Sequence, residues 1–223
     1  MNTELYLIRH GQTDGNVYDI YQGHTDTPIN KLGCLQAEFL RDRFQNIKLD
    51  KIFASPLIRT FKTAEILNEY HNLEIKTDKR FMELFGGDLE GIPFPEIAVK
   101  YPEVENVWIT KIYEFAAPNG ESMRELYSRI STAINETVEA NKGKSIAIVT
   151  HGCPIKNYLT YIHGYSIENI DKIQWAGNTA VSKIIFDNDL KPHVEYINDC
   201  SHLRPEHISS FNQEGIFNED TCG

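Results

Sequence analysis

The sequence predicts an α/β fold in which a mostly parallel, doubly wound sheet ends in an antiparallel edge. Short apolar segments alternate along the chain with segments whose apolar residues recur at helical spacing. Residues 145–150 (SIAIVT) form an apolar run, as expected of a strand covered on both faces. Near the end of the chain, residues 187–189 (DND) join two strand-like segments in a turn typical of an antiparallel hairpin.

Each element follows from its own local pattern. The apolar run that begins at Leu5 predicts the first strand, which breaks abruptly into the polar sequence RHG, and a loop over 17–28 follows it. Asn30 is a good N-cap, and Ser55 is placed to cap a helix with Pro56 at its first position. Later strands are predicted over 51–54, 73–77, 145–150, 180–186 and 193–197. Helices are predicted over about 31–45, 56–70, 118–140 and 154–163.

Two further stretches show no clear period. Residues from about 84 to 120 combine four prolines with many aromatic residues, which predicts a helical lid insertion over the strand tips. Packing of Trp108, Tyr113 and Phe115 on the sheet is favoured over ligand contact, although both can hold. The polar residues from 198 to 223 predict a loosely ordered tail. With 223 residues, 41% of them hydrophobic, the chain is expected to form one domain over 1–223.

Composition excludes several classes of function. The formal net charge is -10, which argues against a nucleic-acid partner because such binding depends on Lys and Arg neutralising phosphates. No apolar run approaches the roughly 20 residues of a membrane span, and the start of the chain lacks a basic n-region. We therefore expect neither a membrane partner nor nucleic acid. The oligomeric state is left open.

The cysteines show neither CxxC spacing nor a dense framework, which predicts reduced thiols and a cytoplasmic location. They are Cys34, Cys153, Cys200 and Cys222. Cys200, His202, His207 and Cys222 invite a metal interpretation, but their spacing matches no zinc pattern, so a solvated tail is favoured. Neither a metal site nor a cofactor is predicted.

Charged side chains follow the carboxyl ends of the predicted strands. Arg9 and His10 end the first strand, Arg59 lies in the first turn of the second helix, Glu83 follows the third strand, and His151 follows residues 145–150. A doubly wound sheet gathers strand tips into one crevice, where ligands bind. Taken one at a time, each of these residues has an ordinary structural explanation, such as a surface arginine or a loop carboxylate. Together they predict a catalytic site.

Two imidazoles, two guanidiniums and one carboxyl group suit phosphoryl transfer through a covalent enzyme intermediate. One imidazole attacks phosphorus, while the arginines and the other imidazole hold the phosphoryl oxygens. Glu83 protonates the leaving oxygen, which requires it to be partly desolvated. The cationic side chains take the place of a metal ion.

Several ordered motifs carry a resemblance to a known family. LIRHGQTDGN has Arg-His-Gly after the first strand, and YQGHTDTPINKLG matches the pattern G-x-x-D-x-P-L-[ST]-x-x-G, with Ile29 and Asn30 as mild departures. SPLIRTFKTA, MELFGGDLEG and VTHG follow in order. From about Glu4 to Ile197, the chain resembles the histidine phosphatase superfamily in its phosphoglycerate mutase-like branch.

The resemblance implies a three-layer α/β/α sandwich and assigns roles to residues. It implies that His10 is phosphorylated in turnover and that Arg9, Arg59 and His151 clamp the phosphoryl group. It places four further groups in the phosphate pocket: Asn16, Gln22, Gly23 and the backbone of Gly152. The expected substrate is a small phosphomonoester. A non-catalytic phospho-ligand or protein-binding module on the same fold is the less favoured class, because all five catalytic positions hold competent residues.

A phosphoglycerate mutase is the main alternative to a hydrolase. Alignment on Glu83, Gly87, Gly91 and Trp108 compares this chain with the family's mutases, which bind the substrate carboxylate with polar and cationic side chains after the acid-bearing loop. This chain has Leu84, Gly86, Phe94, Ile109 and Thr110 at those positions. None of them pairs with a carboxylate, although Lys100 could reach into the site. We therefore predict a phosphatase that accepts a neutral or partly apolar leaving group.

Overall fold

The computed structural model describes residues 1–209. In this range the strands are β1 (Thr3–Arg9), β2 (Lys51–Ala54), β3 (Ile75–Thr77), β4 (Ser145–Thr150), β5 (Val181–Phe186) and β6 (Pro192–Asp199). The α-helices are α1 (Asp14–Val17), α2 (Lys31–Phe44), α3 (Ile58–Leu67), α4 (Phe94–Lys100), α5 (Pro102–Thr110), α6 (Met123–Glu139) and α7 (Gly152–Ile162). Within residues 1–209, no helix is long and apolar enough to cross a bilayer.

All six strands form one sheet in the order β3-β2-β4-β1-β5-β6. The first four strands in this order run parallel, whereas β5 is antiparallel to β1 and β6 is antiparallel to β5. This confirms the predicted doubly wound sheet with an antiparallel edge.

The sheet has a buried apolar layer on each face. Leu5 and Leu7 of β1 pack with residues of α6 and α7, whereas Tyr6 and Ile8 pack with residues of α2 and α3. This alternation is the period of two that places successive side chains of a strand on opposite faces. The result is the predicted three-layer α/β/α sandwich.

Helix boundaries depend on which side chains are free to cap them. Asn30 caps α2 as predicted, because its side chain accepts from the backbone N–H of Gly33 at 2.9 Å. The expected cap at Ser55 is wrong. Helix α3 begins at Ile58, whose backbone N–H donates to Asp26 Oδ1 at 2.6 Å, and Ser55 instead contacts His151.

The stretch between Glu83 and α6 holds the short helices α4 and α5. Ile97 and Phe115 bury apolar surface beneath them. The Trp108 ring lies 4.7 Å from that of Phe115 and also lines the cleft described below. Trp108 therefore packs on the apolar core and also lines the cleft.

The expected loose tail from residue 198 is wrong for its first part. Cys200 and Leu203 are buried, and the Gln36 side chain of α2 donates to the backbone carbonyl of His207. Apolar burial against α2 thus orders a stretch that looks polar in the sequence. Residues 210–223 of the predicted tail lie outside the described range.

Cys34 and Cys153 carry free thiols, as predicted. Cys200 is disulfide-bonded, so the prediction of a reduced thiol is wrong there, because spacing along the chain does not show which cysteines the fold brings together. Cys222 lies outside the described residues. Within residues 1–209, no group of three or more His, Cys, Asp or Glu side chains could hold a metal ion.

Candidate active site

The strand register brings the two histidines together. Arg9 at the end of β1 lies opposite Thr150 at the end of β4. The residues that follow these two strands, His10 and His151, therefore lie side by side. Their ring centroids are 5.3 Å apart in an edge-on arrangement. The parallel pairing of β2 with β4 sets Ser55 beside the same point.

Hydrogen bonding fixes the tautomer of His10. Its Nδ1 lies 2.7 Å from the carbonyl oxygen of Gly11, and a carbonyl only accepts, so Nδ1 carries the proton. Nε2 is therefore left with a lone pair. Burial, with the charges of Arg59 and Arg9, holds the pKa of His10 well below its ordinary value. The imidazole is thus kept neutral and nucleophilic.

His151 has the opposite tautomer. Its Nδ1 accepts from Nε of Arg59 at 3.2 Å, so its proton sits on Nε2, 2.9 Å from Ser55 Oγ. Burial and the Arg59 charge hold the pKa of His151 well below its ordinary value. The structure thus places His151 beside His10, but its two ring nitrogens engage Arg59 and Ser55. A direct contact with phosphate requires one of them to be released.

Arg59 joins the loop over the strand tips to the histidines. Its Nη1 donates to the carbonyl of Thr25 at 2.8 Å and its Nη2 to that of Gly23 at 2.7 Å. It is buried and forms no ion pair with any residue of the described range 1–209. Burial lowers the pKa of Arg59 to about 10, which still leaves a full positive charge at neutral pH. Two of its five N–H groups remain for an anion.

Arg9 supplies a second buried guanidinium. Its Nη1 donates to the carbonyl of Ala176 at 2.6 Å, and burial lowers its pKa to about 10. Gly152, the first residue of α7, lies beside it: a Cβ at this position would make an ordinary contact with Arg9 Nε at 3.8 Å. The first amides of a helix lack intrahelical partners, so this end of the cleft combines two cations with backbone donors.

Glu83 lies across the cleft on a fixed loop. Its Oε1 accepts from the backbone N–H of Leu84 at 2.8 Å, and its Oε2 accepts from that of Cys153 at 3.3 Å. Arg129, paired with Glu121 at 2.7 Å, donates to the carbonyl of Glu83. The carboxyl group is partly buried and faces the cleft. Sequence reasoning missed Arg129, because an arginine in a helix carries no signal of what it contacts.

Asn16 and Gln22 are held by their amide oxygens. Asn16 Oδ1 accepts from the backbone N–H of Thr13 at 3.1 Å, and Gln22 Oε1 accepts from Thr13 Oγ1 at 2.7 Å. Their NH₂ groups have no acceptor within the described residues. Both side chains line the cleft together with Gly23, so both present donors to it.

The cleft has a volume of about 110 Å³ and two different ends. One is formed by the predicted residues above except His151, which is fully buried and does not line the cleft. The other is formed by an aromatic group that we call the aromatic wall: Tyr21, Phe94, Trp108 and Trp175. Trp108 and Trp175 stack with ring centroids 6.0 Å apart. Sequence reasoning missed Trp175, Tyr21, Cys153 and Asp19 as lining residues, because they lie in loops or helix starts without a recognisable motif.

The residues at the positions where the family's mutases bind the substrate carboxylate lie in different environments in this structure. Phe94 lines the cleft, whereas Leu84 is fully buried and Ile109 is 53% exposed. Lys100 pairs with Glu96 at 2.9 Å on the surface. Arg9 and Arg59 are therefore the cations among the described residues that line the cleft.

Comparisons with known proteins show the family to which this chain belongs. Residues 5–199 match the model of the histidine phosphatase superfamily, branch 1. The phosphoglycerate mutase-like protein 4 of Arabidopsis thaliana is 30% identical and covers 99% of this chain and 94% of its own. A Bacillus subtilis protein named uncharacterized phosphatase PhoE is 38% identical over 73% of this chain and 78% of its own. The solved structure of Bacillus stearothermophilus YhfR has a TM-score of 0.87 and 29% identity, and covers 91% of this chain and 100% of its own.

Proposed function

The chain belongs to the histidine phosphatase superfamily, branch 1, and from that membership we propose that it is a metal-independent phosphomonoesterase acting through a phosphohistidine. One observation carries the proposal: two buried imidazoles lie 5.3 Å apart, and one of them, His10, lines the cleft together with the guanidiniums of Arg9 and Arg59. The phosphatase-named relative supports hydrolysis.

In the first step, the lone pair on His10 Nε2 attacks phosphorus. The bond between phosphorus and the ester oxygen breaks, and the protonated Glu83 gives its proton to that oxygen, so that an alcohol leaves. Arg9 and Arg59 hold the phosphoryl oxygens and take up the charge that develops on them. His151 holds Arg59 in place through its Nδ1.

In the second step, the Glu83 carboxylate takes a proton from water as the water oxygen attacks phosphorus. The bond between phosphorus and nitrogen breaks, the electron pair returns to His10, and phosphate is released. Glu83 is protonated again and ready for the next ester. The net reaction is hydrolysis of one ester bond, with no metal ion or cofactor consumed.

The aromatic wall sets the class of leaving group. Tyr21, Phe94, Trp108 and Trp175 offer apolar surface beside the phosphate end, and Asp19 adds a carboxylate to the lining. A second anion on the substrate would meet no cationic side chain of residues 1–209 among the groups that line this part of the cleft, and it would be disfavoured by desolvation. We propose small phosphomonoesters whose alcohol part is neutral and partly apolar.

Phosphoglycerate mutase is the second candidate, and the similarity to a mutase-like protein favours it. A direct comparison of rates decides between the two. Purified protein is expected to release phosphate from aryl or alkyl phosphates orders of magnitude faster than it interconverts 2- and 3-phosphoglycerate. Activity is also expected to survive EDTA.

The His10→Ala variant serves as the control for contaminating phosphatase. If the purified protein interconverts phosphoglycerates faster than it releases phosphate from any ester, it is a mutase. Loss of activity in EDTA with recovery on adding a divalent ion would remove the metal-independent mechanism.

A further inference from the structure

A buried lysine lies directly behind the aromatic wall. Lys156 of α7 is 4% exposed, and its Nζ donates to the backbone carbonyl of Ile173. It forms no ion pair with any residue in 1–209. Lysines are almost never buried to this degree without a charged partner. Its burial is costly for the fold, and the catalytic steps above make no use of it.

The ammonium group of Lys156 instead faces an aromatic ring of the cleft. Nζ lies 4.9 Å from the ring centroid of Trp175, within the range of a cation–π interaction. The same ring stacks on Trp108 and lines the cleft, whereas Lys156 does not. Lys156 thus contacts the wall from the core side.

The segment from Ile173 to Ala176 is held from both sides. Lys156 binds the carbonyl of Ile173, and Arg9 Nη1 binds that of Ala176 at 2.6 Å. Trp175 lies between these two anchored carbonyls. Its ring is therefore positioned by a lysine at one end and by a phosphate-site arginine at the other.

We propose that Lys156 is a positioning residue that fixes Trp175 as a wall of the leaving-group subsite while its amine is protonated. Recognition of an apolar leaving group is then switched by pH, while the phosphate site keeps working. The proposal about substrate rests on the proposed phosphatase function, but the contact between Lys156 and Trp175 does not.

The titration of Lys156 falls near neutral pH. Burial lowers the pKa of Lys156 to about 8, although Asp171 favours its charged form. Burial raises the pKa of the Cys153 thiol well above its ordinary value, so that thiol stays neutral across the same range. Above about pH 8 the amine loses its charge, and the attraction to the Trp175 ring is lost with it.

Tryptophan fluorescence tests the contact without any substrate. The chain has two tryptophans, so Trp108→Phe leaves Trp175 as the sole emitter. We expect its emission to change with a midpoint near pH 8. The change is absent when Lys156→Met is added, and it moves to higher pH with Lys156→Arg, because guanidinium keeps its charge. A midpoint that persists in Lys156→Met would overturn the proposal even if the protein is no phosphatase.

Kinetics test the consequence for substrate. Ethyl phosphate has a small leaving group that offers little apolar surface to the wall, whereas the ring of an aryl phosphate can stack on it. For the aryl ester, KM is expected to rise about three- to tenfold as pH passes 8, a change typical of one lost cation–π contact. Lys156→Met has the raised KM at every pH, and Lys156→Arg restores the low one.

The same variants should leave kcat/KM for ethyl phosphate unchanged, with folding checked by circular dichroism. Equal losses for both esters would assign Lys156 to general structure and overturn the positioning role. If no ester is hydrolysed at all, the proposed function fails, and the fluorescence result still decides whether Lys156 holds Trp175.

Discussion

The two ends of the cleft are built in different ways. At the phosphate end, His10 and Arg9 lie at a strand tip, and Arg59 is locked by the carbonyls of Gly23 and Thr25. At the other end, the aromatic wall is assembled from a loop, the insertion and the segment around Trp175. Backbone pairing fixes the first end, whereas side-chain stacking and one lysine hold the second.

This difference separates chemistry from selectivity. Groups fixed by the sheet register are rigid enough to act on a transition state, which tolerates little misplacement. Groups held by stacking can be exchanged or loosened without disturbing that geometry. Changes at the phosphate end should therefore lower turnover of every ester, and changes at the wall should act only on those esters that reach it.

Removal of the nucleophile is the largest expected effect and tests the first half of this comparison. His10→Ala should lower kcat by roughly 10⁴-fold or more for aryl and alkyl esters alike, because it removes the covalent step. With labelled substrate, the wild type should retain label after alkaline quenching and lose it in acid, as a phosphoramidate does. His193→Ala, at an exposed histidine of β6, is the matched control. Undiminished turnover by His10→Ala would remove the nucleophile assignment.

Glu83 also lines the cleft, and the effect of substituting it should depend on the leaving group. Glu83→Gln keeps one amide oxygen as an acceptor, which serves only one of the backbone N–H groups of Leu84 and Cys153, and it has no proton to give to a leaving oxygen. We expect a loss of about 10²- to 10⁴-fold for alkyl phosphates and a much smaller loss for activated aryl phosphates, whose leaving oxygen needs no proton. Glu96→Gln on the exposed face of α4 controls for loss of a carboxylate. Equal losses for both ester types would exclude Glu83 as the acid.

The phosphate end could be predicted from the sequence, and the wall largely could not. Arg9, His10 and His151 each follow directly on an apolar run, so their place at a strand tip follows from local pattern alone. Trp175 and Lys156 give no such signal. One lies in a stretch without period, and the other has the helical spacing of an ordinary residue of α7.

The errors in the fold have the same origin. Ser55 has the local chemistry of a helix cap, but its hydroxyl instead forms a hydrogen bond with His151, which is distant in sequence. Ser209 lies in a polar stretch, yet it is buried against Gln12 and Gln36. In each case a contact distant in sequence overrides a local preference, and only tertiary structure reveals it.

Substitution of Ser55 should have a smaller effect on kcat, and this effect should be the same for all substrates. Ser55→Ala removes the hydroxyl that accepts from His151 Nε2 at 2.9 Å, which loosens the ring that holds Arg59. Loss of such a supporting hydrogen bond should lower kcat by about tenfold, equally for aryl and alkyl esters. Ser201→Ala, at an exposed serine, is the control. A loss confined to aryl esters would place Ser55 with the wall and contradict the comparison.

The smallest expected effect is on the free energy of unfolding and not on the rate. It tests whether the buried charge of Lys156, which contacts the aromatic wall, destabilises the folded protein. The pKa of Lys156 falls from 10.5 to about 8 on folding, so below pH 8 the folded state carries a proton that it binds less well than the unfolded chain does. Lys156→Met should therefore raise the free energy of unfolding at pH 7 by roughly 1–3 kcal/mol, the proton cost less the lost hydrogen bond.

The stability that Lys156→Met gains over wild type should depend on pH within a defined range. The free energy of unfolding of the wild type should rise between about pH 8 and 10.5, because Lys156 loses its proton at a lower pH in the folded protein than in the unfolded chain. The methionine variant lacks this rise, so its advantage should shrink as pH increases across the window. Urea unfolding at pH 7 and pH 10 measures both, with Lys100→Met on exposed α4 as the control. A variant that is less stable than wild type at pH 7 would show that the buried charge supports the fold instead of burdening it.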